Sequence, residues 1–327
     1  KTSNLVANPG CFPEASILGM APAVREGIVG DDVIVNALTG ISGAGRGGLA
    51  TNIMDHFAEA NETALKIVRA YHKRRGEPQR YKVISRLGSY HGMTSGVMWL
   101  GGNSASPRED FEPSYPGMIH APQPNPYRCE LGGETPSECA IRCATAIEDL
   151  IQFHGPSTVA AVIAEPVALP QGAAVPGDEY WPMLRDICDR YGVLLIVDEV
   201  ICGFGRTGKM FAIEHWGVIP DIMTVAKGII SSYLPLAATI VKSEVADVFA
   251  GEENSFRHTL TFSGHPVTAA AALKNIEILE NENMVENSAT TGAYLKEQME
   301  GLKEDHPIII RCDCKRTTPT SFARARR

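Results

Sequence analysis

Val193-Leu194-Leu195-Ile196-Val197-Asp198-Glu199-Val200 sets the frame for the rest of the chain. Five apolar residues run straight into two carboxylates. A short apolar run rich in branched residues predicts a strand buried on both faces, as in a parallel sheet. An acid at the end of such a strand falls where open α/β sheets place their ligands. Burying Asp198 without compensation is costly, so it calls for a cationic partner. Ile222-Met223-Thr224-Val225-Ala226-Lys227-Gly228 is a second apolar run, and it ends in a lysine.

An acid and a lysine on two strand ends of one sheet suit pyridoxal phosphate. The amine forms a Schiff base with the aldehyde, and the acid keeps the pyridine nitrogen protonated so that the ring accepts electrons. The pair alone fits a plain ion pair, or two solvated side chains, equally well.

The wider wording favours the cofactor. Asp198-Glu199-Val200-Ile201-Cys202-Gly203-Phe204-Gly205-Arg206-Thr207-Gly208 resembles the D-E-V-x-x-G-F-G-R-T-G signature of class III aminotransferases. Pro220-Asp221-Ile222-Met223-Thr224-Val225-Ala226-Lys227-Gly228 resembles the lysine segment of the same family. Thr261-Phe262-Ser263-Gly264-His265-Pro266, followed by an alanine-rich helix, matches its T-x-S-G-H-P motif. The resemblance covers about residues 59–311. It implies an α/β fold: the fold type I large domain of pyridoxal-phosphate enzymes, a mostly parallel sheet with helices on both faces, followed by a truncated small domain.

Composition sets the outer bounds. The 327 residues are enough for a large core and one or two domains. Hydrophobic residues make up 44% and charged residues 21%, as in a soluble globular protein. A net charge of −8 argues against nucleic acid or an anionic membrane surface as the main partner. Eight cysteines in a chain this long do not make a disulfide scaffold. Cys139 and Cys143 share a predicted helix, and Cys312 and Cys314 lie near the end. No Cys-x-x-Cys pair occurs, so no zinc site and no other metal is expected. Reduced thiols, no signal peptide and no apolar run of membrane-spanning length predict a cytoplasmic protein. The first residue is Lys1, so a missing start is expected.

Residues 1–48 read differently from the rest. Asn8-Pro9-Gly10-Cys11-Phe12-Pro13 presents a cysteine just before a predicted helix over 15–26. A thiol at a helix N-terminus is a better nucleophile. A strand over 33–37 and the glycine-rich Gly40-Ile41-Ser42-Gly43-Ala44-Gly45-Arg46 follow. This block resembles the catalytic-cysteine segment of N-acetyl-γ-glutamyl-phosphate reductase. That resemblance implies a nicotinamide-dependent (NADP) reductase with Cys11 as the thiolate. The family's N-terminal dinucleotide domain and its His-Arg-His-Thr-Pro-type segment have no counterpart here, and an inert cysteine in an orphaned segment is the plainer reading.

Near residue 49 the wording changes. Periodicity predicts a helix over 59–72, similar to the one that follows the family's phosphate loop. That loop reads S-G-S or similar and holds the phosphate at the helix N-terminus. Here those positions are His56-Phe57-Ala58, which lack both the glycine and the hydroxyl. A splice between two genes would account for the change. Residues 82–86 predict a strand that leads into Ser89-Tyr90-His91-Gly92, similar to the family's Y-H-G motif. The resemblance implies that Tyr90 stacks on one face of the pyridine ring and Val200 packs on the other, while His91 orients a neighbour.

Residues 101–136 are rich in Pro, Gly, Ser and Asn and predict a long loop region, with Tyr115, His120 and Tyr127 as pocket candidates. Helices are expected over 134–154, 176–191 and 269–281. Further strands are expected over 159–166 and 236–241. The first of these carries an acid at its end, Glu165, which the resemblance places near the ring. Alternating strands and helices predict a doubly wound sheet. Residues 294–303 would open the small domain, 306–311 reads as a strand, and 312–327 reads as a frameshifted or irregular tail. The domain division is therefore 1–48, 49–290 and 291–327.

By resemblance, the activity is transfer of an amino group from an ω-amino acid or amine to a keto acid such as pyruvate. Lys227 would move the proton, Asp198 would hold the ring nitrogen, and Thr261 would reach the phosphate of a neighbouring subunit, which implies a homodimer with shared sites. Arg206 serves a structural role or a substrate contact. The alternatives are a reductase fragment acting through Cys11 and an inactive fragment that only binds the cofactor.

Overall fold

The computed structural model describes residues 56–102, 108–250, 254–258, 260 and 263–305. The predicted elements of residues 1–48 and 306–311, together with Cys11 and Thr261, lie outside them.

Six strands form one sheet. Along the chain, α1 (His56–Arg74) precedes β1 (Lys82–Arg86) and β2 (Met118–Ala121). Then come α2 (Pro136–His154), β3 (Val159–Ala164), α3 (Tyr180–Tyr191), β4 (Leu194–Asp198), β5 (Ile222–Val225) and β6 (Ala238–Val241). Two helices close the described chain, α4 (Pro266–Asn281) and α5 (Met284–Asp305). The strand order is β2-β1-β3-β4-β5-β6, parallel throughout except for the β5–β6 pair. This is the mostly parallel sheet with helices on both faces that the sequence predicts.

The continuous apolar runs are explained by burial on both sides. On one face, Val83, Ile163, Leu194, Ile196 and Ile222 pack against Ala64, Leu65 and Val68 of α1. On the other, Ile84, Val162, Leu195 and Val197 pack against Cys143, Ile147 and Ile151 of α2 and Leu184 and Ile187 of α3. Neighbouring residues of one strand face opposite ways, so a strand covered twice has no place for polar residues. Helix starts follow ordinary capping chemistry. Thr135 accepts a hydrogen bond from Glu138 N at 3.1 Å, with Pro136 in the first turn of α2.

The structure departs from expectation in three places. The 101–136 region contains β2, a short edge strand paired in parallel with β1. Its four residues, Met-Ile-His-Ala, carry too little apolar run to announce a strand beside so many turn residues. Helix α5 starts at Met284 rather than near 294. Helix α1 starts at His56, so the residues standing in place of the phosphate loop form its first turn.

Candidate functional site

Register brings the predicted chemistry to one rim. Ala164 pairs with Val197, and Asp198 pairs with Thr224. Glu165 thus leaves the end of β3, Asp198 ends β4, and Lys227 follows β5 by two residues. Tyr90, Glu165, Asp198, Val200, Cys202 and Lys227 line a common cleft there. The acid and the lysine that the sequence pairs do share a cavity. Tyr115, His120 and Tyr127 do not line it.

Asp198 is buried, with 4% exposure, and its carboxylate is fixed on three sides. Its Oδ2 accepts from His91 Nδ1 at 2.8 Å and from Asn61 Nδ2 at 2.9 Å. Its Oδ1 accepts from Val200 N at 3.1 Å. Asn61 is held in turn: its Nδ2 also donates to His91 O at 2.8 Å, and its Oδ1 accepts from Thr224 Oγ1 at 2.8 Å. A side chain with all its valences engaged cannot swing away, so the acid is aimed before any ligand arrives.

A second chain of charge runs from the same imidazole. His91 Nε2 lies 4.0 Å from Glu165 Oε2. Glu165 Oε2 accepts from Arg86 Nη2 at 2.8 Å, and its Oε1 accepts from Tyr90 N at 3.0 Å. Burial penalises the His91 cation, but the charges of Glu165 and Asp198 outweigh that penalty and hold its pKa above the ordinary value. Arg86 is also buried, and its Nε and Nη1 find no hydrogen-bond partner.

The lysine turn is tightly packed. Lys227 adopts φ +46°, which is costly for a residue with a side chain. Surrounding contacts hold it there. A Cβ on Gly228 would come within 2.9 Å of Phe204 Cβ and 3.2 Å of Gly203 O, so glycine is what lets this turn meet the loop after β4. Asn275 Nδ2 on α4 donates to Gly228 O at 3.0 Å and Ile229 O at 3.1 Å.

The structure thus gathers Tyr90, His91, Glu165, Asp198, Val200 and Lys227. The sequence reading assigns no role to Asn61, Arg86, Thr224 or Asn275. Asn61 carried a signal, since a small amide on an otherwise amphipathic helix occupies a fully buried position. Arg206 is exposed and does not line the cleft.

Comparison with known proteins adds an independent line. The family model of the class-III aminotransferases matches residues 38–313, reaching further toward the N-terminus than the motifs do. An uncharacterised aminotransferase of Bacillus subtilis is 44% identical over 254 residues, which cover 77% of this chain and 55% of that protein. The putrescine–pyruvate aminotransferase of Pseudomonas aeruginosa is 42% identical over 253 residues, with the same coverage of 77% and 55%. The crystal structure of an (S)-enantioselective ω-transaminase from Thermomicrobium roseum superposes with a TM-score of 0.74 at 44% identity, covering 78% of this chain and 56% of that one. The chain therefore spans about half the length of the relatives it matches.

Proposed function

The chain belongs to the class-III aminotransferase family, and from that premise we propose that it binds pyridoxal phosphate and transfers an amino group from an amine or ω-amino acid to a keto acid such as pyruvate. The observation that carries this is the shared cleft in which Asp198, pinned by His91 and Asn61, faces the same space as Lys227. The donor set fits the cofactor's ring end: a carboxylate for a protonated ring nitrogen, a primary amine for an aldehyde, and Tyr90 and Val200 for two flat faces. When bound, the cofactor supplies an electron sink that stabilises negative charge on the substrate carbon.

The protein's own groups do the rest. Asp198 would hold the ring nitrogen protonated, and His91 keeps Asp198 in place. The Lys227 amine would carry the proton taken from the substrate carbon. Arg86 and Tyr90 N hold Glu165 at the rim, where it lines the cleft. Thr261, which lies outside the described residues, would reach the phosphate of a neighbouring subunit in a homodimer, and backbone amides in the first turn of α1, His56–Phe57–Ala58, would be the counterpart of the phosphate loop. The putrescine–pyruvate relative supports pyruvate as acceptor and a terminal amine as donor.

We take residues 49–290 as the cofactor-binding large domain and 291–327 as the start of a small one, with 1–48 as a separate segment. Among the described residues no helix is long and apolar enough to cross a membrane, and a cytoplasmic homodimer is our proposal. Nothing in the comparisons supports the reductase alternative built on Cys11, which lies outside the described residues. Purified protein with added pyridoxal phosphate should give a visible absorption band and convert pyruvate to alanine with a diamine donor. A band with no turnover would leave only a cofactor-binding fragment, and no band at all would end the proposal.

A further inference from the structure

We propose that Cys129, Cys139 and Cys143 form a binding site for one thiophilic metal ion of the zinc(II) class, separate from the cofactor cleft. Their three sulfur atoms all lie within 4.8 Å of one another. A zinc–thiolate bond of about 2.3 Å in tetrahedral geometry sets ligand sulfurs roughly 3.8 Å apart, so small side-chain adjustments close the site. Cys139 and Cys143 stand one turn apart on α2 and share a face. Both are fully buried, and Cys129 is half-buried on the loop that leads from β2, which gives the ion a way in.

The loop is held in position without any metal. Gly132 N donates to Cys129 O at 3.1 Å, and Arg142 Nη1 donates to Leu131 O at 2.8 Å. Gly133 presses on the helix so closely that a Cβ there would fall 2.6 Å from Cys139 N. Gln123 adds a second observation. Its carbonyl lies 3.6 Å from Cys143 Sγ, and its side-chain amide is buried with neither Oε1 nor Nε2 partnered among the described residues. Buried amides are rarely left so. A water or other small ligand would complete a tetrahedral set around the three sulfurs.

Three small apolar thiols filling a core would account for Cys139 and Cys143. Cys129 packs against the same cluster from the loop, and what packing alone leaves unexplained is the convergence of all three sulfurs on one point. Sequence spacing gives no warning, because the helix pair is Cys-x-x-x-Cys and the third ligand arrives from a loop. Binding is an exchange without redox change. Each ligating thiol gives up its proton to solvent and the sulfur donates a lone pair to the ion. Three thiolates around a divalent ion leave one net negative charge. Such a clip would fasten the loop between β2 and α2.

The test uses the full chain with Cys312→Ser/Cys314→Ser, so that the distant pair does not contribute. After incubation with zinc and exhaustive dialysis, mass spectrometry should find one zinc per chain, and cobalt in its place should give thiolate-to-metal charge-transfer absorption. Zinc should also protect Cys129 from iodoacetamide. Adding Cys129→Ser, a change on a loop, should abolish retention while the circular dichroism spectrum stays unchanged. Folded protein that retains no zinc, retention that survives Cys129→Ser, or alkylation of Cys129 unaffected by zinc would each overturn the proposal. The alkylation measurement needs no variant at the cluster, so a misfolded variant does not shelter the idea.

Discussion

The two rims of the sheet hold charge in opposite ways. At the C-terminal rim, Arg86, Glu165, His91, Asp198 and Glu199 are buried together, and several of their atoms have no hydrogen-bond partner among the described residues: Arg86 Nε and Nη1, His91 Nε2 and Glu199 Oε2. At the N-terminal rim, the charges close on one another and on strand ends. Glu77 bonds Arg80 at 2.9 Å and His72 at 3.3 Å, and Arg80 reaches Val159 O at 2.9 Å. Asp221 takes Arg185 Nη1 and Leu195 N, each at 2.8 Å, and Lys242 Nζ at 3.1 Å. Among the described residues, the buried side-chain atom at that rim without a hydrogen-bond partner is Arg185 Nε. Full pairing fastens the strand starts. Buried charge with valences left over is costly to keep and is tolerated where a ligand or a reaction uses it.

That contrast predicts which property each rim loses on mutation. Lys227→Ala should cut amine transfer about 10³-fold or more while thermal unfolding stays within a degree or two of the parent. An equal loss of stability would erase the distinction between the rims. The next effect concerns pH. Burial pushes the Glu199 carboxyl up to about 7, against an ordinary 4.5, although the Ile213 and Ala212 amides pull the other way. The folded state then holds a proton more tightly than the unfolded chain. Stability is present below about pH 4.5, declines as pH climbs to about 7, and is level above. The shift corresponds to on the order of 3 kcal/mol. Glu199→Gln should flatten that decline in denaturant titrations run from pH 5 to 8, and an unchanged slope would remove Glu199 as its source.

At the other rim, Asp221→Ala should lower unfolding free energy by about 2 kcal/mol, since it strands Arg185 and Leu195 N. Activity per folded molecule and cofactor affinity should hold steady. A tenfold drop in kcat at full cofactor occupancy would show that the lower rim also positions the site. The smallest effect is expected for Asn61→Ala. Two donors hold Asp198 Oδ2, and removing one leaves His91 in place, so kcat should fall by about tenfold, with a shift of the cofactor's visible band. An Asn61→Ala protein with normal spectrum and rate would mean that His91 alone suffices.

The metal site illustrates the limits of motif spacing. Cys139 and Cys143 are legible as a helix pair, but Cys129 joins them only because Gly133 brings the loop against α2. The strand β2 was hidden for a similar reason: an edge strand of four residues borrows its order from β1 and shows little pattern of its own. Six of the expected site residues lie together at one rim because each sits at a strand end or in the loop just after one, where an apolar run stops. Thr261 and Cys11 fall outside the described residues.

By itself the sequence determined every described strand but β2, the acid and the lysine at two strand ends, and through its motifs the family. Burial on two faces writes itself into consecutive apolar residues, so such strands can be read locally. Only the tertiary structure decided what holds the acid in place. Asn61 on α1, His91 after β1 and Thr224 on β5 meet Asp198 from distant parts of the chain. Their meeting depends on register and helix packing, and neither leaves a local trace in the order of residues.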